Sequence, residues 1–351
     1  MIIQSVLATL TVTWLAIMLL RPVAYSIGLL DTPDHRKHHK GAIPLIGGIA
    51  AFIGICASFL LFVPIDEPIV SYLLAGSLIV GVGALDDIKD LPVRVRLITQ
   101  VLVTVILCEG TGLYLENLGD LFGFGDVHLG WFSYPATILA MMGAINAFNM
   151  MDGIDGLAGS MALIAYSGLA YLFYRSGDPL GFQLALIFSI ALIPYLMVNL
   201  TIPPFKKKIF MGDAGSMLHG FSVVWLLVHG SQGEAQSFSP VTALWLVAIP
   251  LMDMVAIMAR RAKKGQSPIR PDRDHLHHIF MRARFSDREA LVLITIMGVV
   301  FLAIGLLAET FFWRESINVM AFICVFLLYC YFLKHAWLVA KFFRKYPLHS
   351  E

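Results

Sequence analysis

Long apolar stretches separated by short polar segments run along the whole chain. Eleven of them are long enough to cross a hydrocarbon core roughly 30 Å thick as helices. They lie at 2–20, 43–63, 69–85, 97–115, 134–148, 157–174, 182–200, 214–230, 240–259, 289–308 and 317–333. The first stretch carries no charge and no small-residue cleavage site follows it, so we interpret it as a retained helix rather than a signal peptide. The pattern predicts an all-α polytopic membrane protein with about eleven transmembrane helices.

Composition agrees with a chain that lies in a bilayer. The 351 residues are 58% hydrophobic and 14% charged, and the mean hydropathy of +0.78 is too high for a soluble domain. The four cysteines lie in apolar stretches without a C-x-x-C pair, so neither disulfides nor a zinc knuckle are indicated. A net charge of +1 gives no sign of nucleic-acid binding. We expect residues 1–351 to form a single integral-membrane domain.

Lysine and arginine are distributed unevenly among the loops. Of the 25 such residues, 23 lie in alternate loops beginning with 21–42, and the other set of loops contains only Arg175 and Arg314. Because these residues concentrate in cytoplasmic loops, the split predicts an N-terminus outside and a C-terminus in the cytoplasm. The same assignment places the segments near 21–42, 86–96, 149–156, 201–213 and 260–288 on the cytoplasmic side.

Carboxylate and amide side chains cluster at the predicted inner ends of the helices. Asp86 and Asp87 follow directly on an apolar stretch, whereas Asn149, Asp152 and Asp155 recur every three residues and would share a face if helical. Ionisable groups at membrane depth are costly and usually functional. Since successive helix residues point about 100° apart, the two adjacent acids would not easily chelate one ion together, and we expect different roles for them. A solvated helix end and an interhelical hydrogen-bond seam are the structural alternatives.

A further acid, Asp213, lies between Gly212 and Gly215 at the start of an apolar stretch. Helix N-termini present free N–H groups, so this turn would suit a phosphate or a metal-bound diphosphate. The alternative is that Asp213 simply caps the helix.

Three histidines, His275, His277 and His278, lie in the longest basic loop. They could ligate zinc, but the spacing lacks an H-E-x-x-H pair, and the neighbouring arginines suit anions better. Topology alone also produces basic loops, so we assign no catalytic role to the cations of this loop, Arg260, Arg261, Lys263 and Lys264. Arg94 and Arg96 are also left out of the site.

Acids suited to Mg²⁺, a phosphate-binding turn and many cations on one face indicate phosphoryl transfer with a lipid substrate. A secondary transporter would carry its acids near the bilayer midplane in related halves, which are not visible here. An intramembrane aspartyl protease needs G-x-G-D, but Phe210 stands where that motif requires glycine. We keep these two classes as alternatives.

These segments, taken in order, resemble the polyprenyl-phosphate N-acetylhexosamine-1-phosphate transferases over nearly the whole chain, and within that family the WecA type. The resemblance rests on Lys40-Gly-Ala-Ile-Pro44 followed by Gly47-Gly48, on Asp86-Asp87, on the run from Asn149 to Leu157, on the run from Phe210 to Ser216 and on His275-Leu-His277-His278.

The resemblance implies an activity, a location and a cofactor. UDP-N-acetylglucosamine and undecaprenyl phosphate would react at the cytoplasmic face of a bacterial inner membrane, giving undecaprenyl-diphosphate-GlcNAc and UMP. This would be the first lipid-linked step of O-antigen or enterobacterial common antigen synthesis. The resemblance also implies a requirement for Mg²⁺ or Mn²⁺ and eleven helices, and it leaves open a homo-oligomer.

Matching positions imply roles for individual residues. Asp213 would be the metal ligand, and Asp86 and Asp87 the catalytic pair. The implied substrate contacts are Lys40 near the diphosphate, Asn149, Asp152 and Asp155 around the nucleotide, Phe210 stacked on uracil, and His275, His277 and His278 at the sugar diphosphate. A lipid phosphate oxygen would attack the phosphorus that bears the sugar. A route through an aspartyl-phosphate on Asp86 or Asp87 stays open.

Overall fold

The computed structural model describes residues 1–33, 41–233, 236–265 and 275–335, and most of these residues are helical. The helices are α1 (Ile2–Ile27), α2 (Gly47–Phe62), α3 (Glu67–Lys89), α4 (Val93–Thr111), α5 (Ser133–Met151), α6 (Leu157–Ser176), α7 (Pro179–Asn199), α8 (Gly212–Ser231), α9 (Pro240–Leu246), α10 (Ala248–Lys263), α11 (Leu276–Arg282), α12 (Asp287–Thr310) and α13 (Glu315–Lys334). Two short strands, β1 (Leu30–Asp31) and β2 (Ile43–Pro44), pair antiparallel between α1 and α2.

Capping side chains define where several of these helices begin. Asp66 accepts a hydrogen bond from the backbone N–H of Ile69 at the start of α3 (3.1 Å), and Asp178 accepts one from Gly181 at the start of α7 (2.9 Å). Ser286 forms a capping box with Glu289 in α12. Each cap satisfies an N–H group that has no partner within the helix, which explains the abrupt starts.

Each of the eleven apolar stretches predicted from sequence coincides with helix, although the ninth is broken. It forms α9 and α10, whose axes differ by 84°. Among the described residues, six helices are long and apolar enough to cross a membrane, or seven if the bent pair counts as one span. The chain is therefore a multi-pass membrane protein. The other predicted stretches form shorter or more polar helices, such as the 16-residue α2.

Helix α8 lies at the centre of the bundle and packs against α2, α3, α5 and α6. All of its residues except Asp213 and His229 are buried. Its first turn touches the backbones of two neighbouring helices. A Cβ added at Gly48 would lie 2.0 Å from the Cα of Gly215, and one at Gly83 would lie 2.4 Å from the Cα of Ala214. Glycine thus brings the start of α2 and the end of α3 against the start of α8.

The opposite end of the bundle is closed by the segment between α4 and α5. Gln232, just after α8, accepts hydrogen bonds from the backbone N–H groups of Glu116 and Asn117 (both 3.0 Å). Glu309 at the end of α12 accepts one from the hydroxyl of Thr242 in α9 (2.5 Å). These contacts hold the loop and α9 on the face away from Asp213.

Candidate active site

Asp87, near the end of α3, caps the first turn of α8. Its Oδ1 accepts a hydrogen bond from the backbone N–H of Asp213 (2.9 Å), and its Oδ2 accepts one from that of Ala214 (3.4 Å). Gly212 has a φ of 72°, and a Cβ there would lie 2.5 Å from Oδ2 of Asp87, so the turn requires glycine. The sequence predicts that these N–H groups receive a phosphate or a metal-bound diphosphate. Here the carboxylate of Asp87 already occupies two of them.

Asp86 points to different partners from Asp87, as the angle between adjacent helix residues requires. It is 5% exposed, and its carboxylate accepts hydrogen bonds from the backbone N–H of Leu91 (2.6 Å) and from Nη1 of Arg96 (3.0 Å). The same guanidinium nitrogen lies 3.7 Å from Oδ2 of Asp213. Arg96, to which the sequence assigns no site role, thus neutralises two of the acids of the site. The signal that could have found it is the need of a buried carboxylate for a cation nearby.

Asn149, on the last turn of α5, joins that helix to α8. Its Nδ2 donates hydrogen bonds to Oδ1 of Asp213 (2.7 Å) and to the hydroxyl of Ser216 (3.0 Å). The side chain of Asp213 remains 33% exposed. Asn146, three residues earlier, instead donates to Gln100 of α4 (2.8 Å). The two asparagines at this end of α5 therefore face different helices.

Asp152 and Asp155 lie beyond the end of α5, in the turn that leads to α6. The helical face suggested for them ends at Met151. Asp155 forms an ion pair with Lys208, a residue not singled out from sequence. Asp152 makes no such pair with any residue that the structure describes. Burial, together with the nearby carboxylates of Asp213 and Asp155, raises its pKa to about 7. The acids thus form one cluster with excess negative charge.

This cluster has the donor chemistry that suits Mg²⁺ or Mn²⁺. Among the described residues, no three or more His, Cys, Asp or Glu side chains are grouped so that they could hold a metal ion. Mg²⁺, however, is usually bound through one or two carboxylates and substrate phosphates rather than by a cage of protein ligands. The partly exposed carboxylate of Asp213, with oxygen donors beside it, fits this mode of binding.

The three histidines lie together against the turn that holds the acids. Ring centroids are 5.8 Å apart for His275 and His277, and 4.2 Å apart for His277 and His278. A Cβ added at Gly153 would lie 2.3 Å from Nε2 of His277, so the backbone of the acidic turn touches this ring. Burial, with a smaller contribution from the neighbouring histidines, lowers the pKa of His277 to about 3, and the ring is neutral at physiological pH.

The backbone of Phe210 fixes the loop before α8 to the start of α2. Its N–H donates to the carbonyl of Pro44 (2.9 Å), and its carbonyl accepts from the N–H of Gly47 (2.9 Å). The phenyl ring is half-buried. Lys40, to which the resemblance gives a role near the diphosphate, lies outside the described residues.

An apolar cavity of about 440 Å³ lies between α5, α8 and the broken pair α9 and α10. At the end near the site it reaches Ala147 and Phe148, directly before Asn149, and Met254 of α10. At the far end it reaches Leu115 and Val241. The cavity therefore runs along the helices toward the acids.

Comparison with known proteins places these residues in a family. The model of the glycosyl transferase family 4 matches residues 69–231, which include both aspartates of α3 and Asp213. Three similar proteins are each named undecaprenyl-phosphate alpha-N-acetylglucosaminyl 1-phosphate transferase. The one from Yersinia pestis is 46% identical over 93% of this chain and 90% of its own length. The one from Escherichia coli O157:H7 is 44% identical over 95% and 91%. The one from Haemophilus influenzae is 41% identical over 97% and 96%. The chain belongs to the family of undecaprenyl-phosphate N-acetylglucosaminyl 1-phosphate transferases.

Proposed function

We propose that this protein transfers N-acetylglucosamine 1-phosphate from UDP-N-acetylglucosamine to undecaprenyl phosphate, with release of UMP. The observation that carries this proposal is the convergence of separate motif segments at one end of the bundle. Asp87 of α3, Asn149 of α5 and Asp213 of α8 are joined by hydrogen bonds, and the histidines lie against the adjoining turn. Acids, an arginine and histidines together suit the binding of two anionic phosphates with a metal.

The reaction would take place at the cytoplasmic face of the bacterial inner membrane. Arg96 and Lys208 lie at the site, and the loops on this face hold 23 of the 25 lysines and arginines. Such loops are normally cytoplasmic, and a nucleotide sugar is supplied from the cytoplasm. Eleven spans, with the N-terminus outside and the C-terminus inside, remain our proposed topology.

The apolar cavity is suited to the polyprenyl chain of the acceptor. Its walls are formed almost entirely by apolar residues, and along α5 it extends to Ala147 and Phe148. A lipid in this cavity would bury apolar surface while its phosphate reached the acidic cluster. Met254 of α10 would line the inner end of this path.

In the proposed mechanism, an oxygen of the lipid phosphate attacks the β-phosphorus of the donor and UMP leaves. Asp213 would hold Mg²⁺ or Mn²⁺, which when bound screens the negative charge of the diphosphate. Arg96 adds positive charge to the same region. Both oxygens of Asp87 accept backbone hydrogen bonds, and Asp86 is paired with Arg96. We therefore favour direct attack over an aspartyl-phosphate, because these hydrogen bonds and the ion pair lower the nucleophilicity of both carboxylates.

The proposal is tested by measuring UMP release from purified protein supplied with UDP-N-acetylglucosamine, undecaprenyl phosphate and Mg²⁺. We expect release to require both the lipid and the metal. We expect it to fall at least about 100-fold in Asp87→Asn and Asp213→Asn, since each removes a charge from the site. Asp178→Asn, at the other end of the bundle, serves as the control. Release without lipid, or full activity in both site variants, would overturn the proposal.

A further inference from the structure

Asp253 of α10 is a buried carboxylate that the proposed reaction does not use. It is 1% exposed. Its Oδ2 lies 2.7 Å from Nδ1 of His275. Its Oδ1 accepts hydrogen bonds from the backbone N–H of Leu276 (3.0 Å) and from the hydroxyl of Tyr329 (2.8 Å). The carboxylate thus joins the start of α11 to α13.

These contacts fix both the position and the protonation pattern of His275. A carboxylate only accepts hydrogen bonds, so Nδ1 carries the proton that lies between the two side chains. The other ring nitrogen, Nε2, is then left for a partner on the far side of the ring. The backbone bond from Leu276 holds the start of α11 on the same carboxylate, so the ring cannot move independently of Asp253.

The orientation of His275 affects the other histidines of the motif. Its ring is nearly parallel to that of His277, at an interplanar angle of 7°. His277 in turn lies against the backbone at Gly153, in the turn that carries Asp152. A displaced His275 would therefore alter the surface that the histidines present next to the acidic cluster.

We propose that Asp253 is a positioning residue for the histidine motif, and that Tyr329 holds Asp253 in place from α13. This inference rests on the proposed function and on the role that the family resemblance implies for the motif, at the sugar diphosphate of the donor. Asp253 does not touch the donor in this scheme and acts through His275. Its loss should weaken the binding of UDP-N-acetylglucosamine more than that of the lipid.

The test compares Asp253→Asn with Asp178→Asn as a matched control. Asp178 also accepts a hydrogen bond from a backbone N–H and lies 3.1 Å from a histidine nitrogen, that of His229, at the opposite end of the bundle. We expect Asp253→Asn to raise the KM for UDP-N-acetylglucosamine about tenfold or more, as for a lost hydrogen bond to a charged group. The KM for undecaprenyl phosphate should stay within about twofold, and Asp178→Asn should change neither value.

A milder pair of variants keeps the test decisive if Asp253→Asn does not fold. Tyr329→Phe removes one donor but leaves the carboxylate, and should raise the same KM about threefold. Tyr331→Phe, at an exposed position of the same helix, should have no effect. If both Asp253→Asn and Tyr329→Phe lower thermal stability without a selective change in this KM, Asp253 is only structural. Failure of the proposed function would instead appear as absence of UMP release from the unaltered protein.

Discussion

At the scale of single residues, a few donors hold the negative charge of the site. The carboxylate of Asp86 accepts hydrogen bonds from the backbone N–H of Leu91 and from Arg96. The carboxylate of Asp213 accepts one from Asn149 and lies 3.7 Å from the same arginine. Unpaired buried carboxylates are strongly unfavourable, so a cation shared between two acids affects both stability and substrate binding. We therefore expect Arg96 to influence both the stability of the protein and the binding of substrate.

Replacing Arg96 tests this role directly. Arg96→Leu leaves Asp86 buried without a cation, so we expect kcat/KM to fall roughly 10- to 100-fold, as for a lost hydrogen bond to a charged group, and the thermal midpoint to fall. Arg96→Lys should recover part of the activity, because it restores charge without the planar guanidinium. Arg94→Ala, on the exposed side of the same helix turn, is the control. Equal activity of Arg96→Leu and Arg94→Ala in the UMP assay would contradict the assignment.

At the scale of secondary structure, the site depends on helices that approach one another at glycines. The ends of α3 and α8 meet where Gly83 faces the backbone of Ala214. This approach brings Asp87 within hydrogen-bonding distance of the first N–H groups of α8. The packing of two helices therefore sets the geometry of the acids.

Two glycines on α3 provide a matched test of this packing. A Cβ at Gly83 would lie 2.4 Å from a backbone atom of α8, whereas one at Gly81 meets nothing within 4 Å. Overpacking of this kind costs about 1–3 kcal/mol, so Gly83→Ala should lower the thermal midpoint and reduce UMP release about tenfold or more. Gly81→Ala should be neutral or stabilising by up to about 1 kcal/mol, because alanine favours helix. Similar behaviour of the two variants would show that the close contact is unimportant.

At the scale of the whole molecule, the two ends of the bundle have different chemistry. The end near Asp213 carries the acids, the histidines and most of the basic loops. The other end carries the loop before α5, in which the side chain of Phe124 is 96% exposed. The proposed orientation places the first end in the cytoplasm and the second outside.

Single-cysteine labelling in intact cells tests this orientation. The starting variant has its native cysteines replaced, at positions 56, 108, 324 and 330. A membrane-impermeant maleimide should then label Phe124→Cys in intact cells, but should label Lys264→Cys only after permeabilisation. Both positions are exposed, so access to the reagent differs only by the side of the membrane. The opposite labelling pattern would reverse the topology and exclude a cytoplasmic site.

Local patterns along the chain were enough to predict the helical membrane architecture. An apolar stretch of about 20 residues favours a helix in lipid whatever its neighbours are, because its backbone groups must be satisfied internally. The ordered motifs likewise indicated Asp86, Asp87 and Asp213 as candidate site residues before any contact was known. The same local reasoning could not distinguish the stretches that meet the requirements of a span from those, such as α2, that form shorter helices.

The partners of these residues were decided by the tertiary structure. The pairing of Arg96 with Asp86 bridges two successive helices, and that of Asp253 with His275 joins α10 to the start of α11. Asp87 reaches the first turn of α8 across more than a hundred residues of sequence. Hydropathy and motif spacing act over a few turns of chain, whereas each of these contacts depends on how closely whole helices pack, and packing is a property of the assembled bundle.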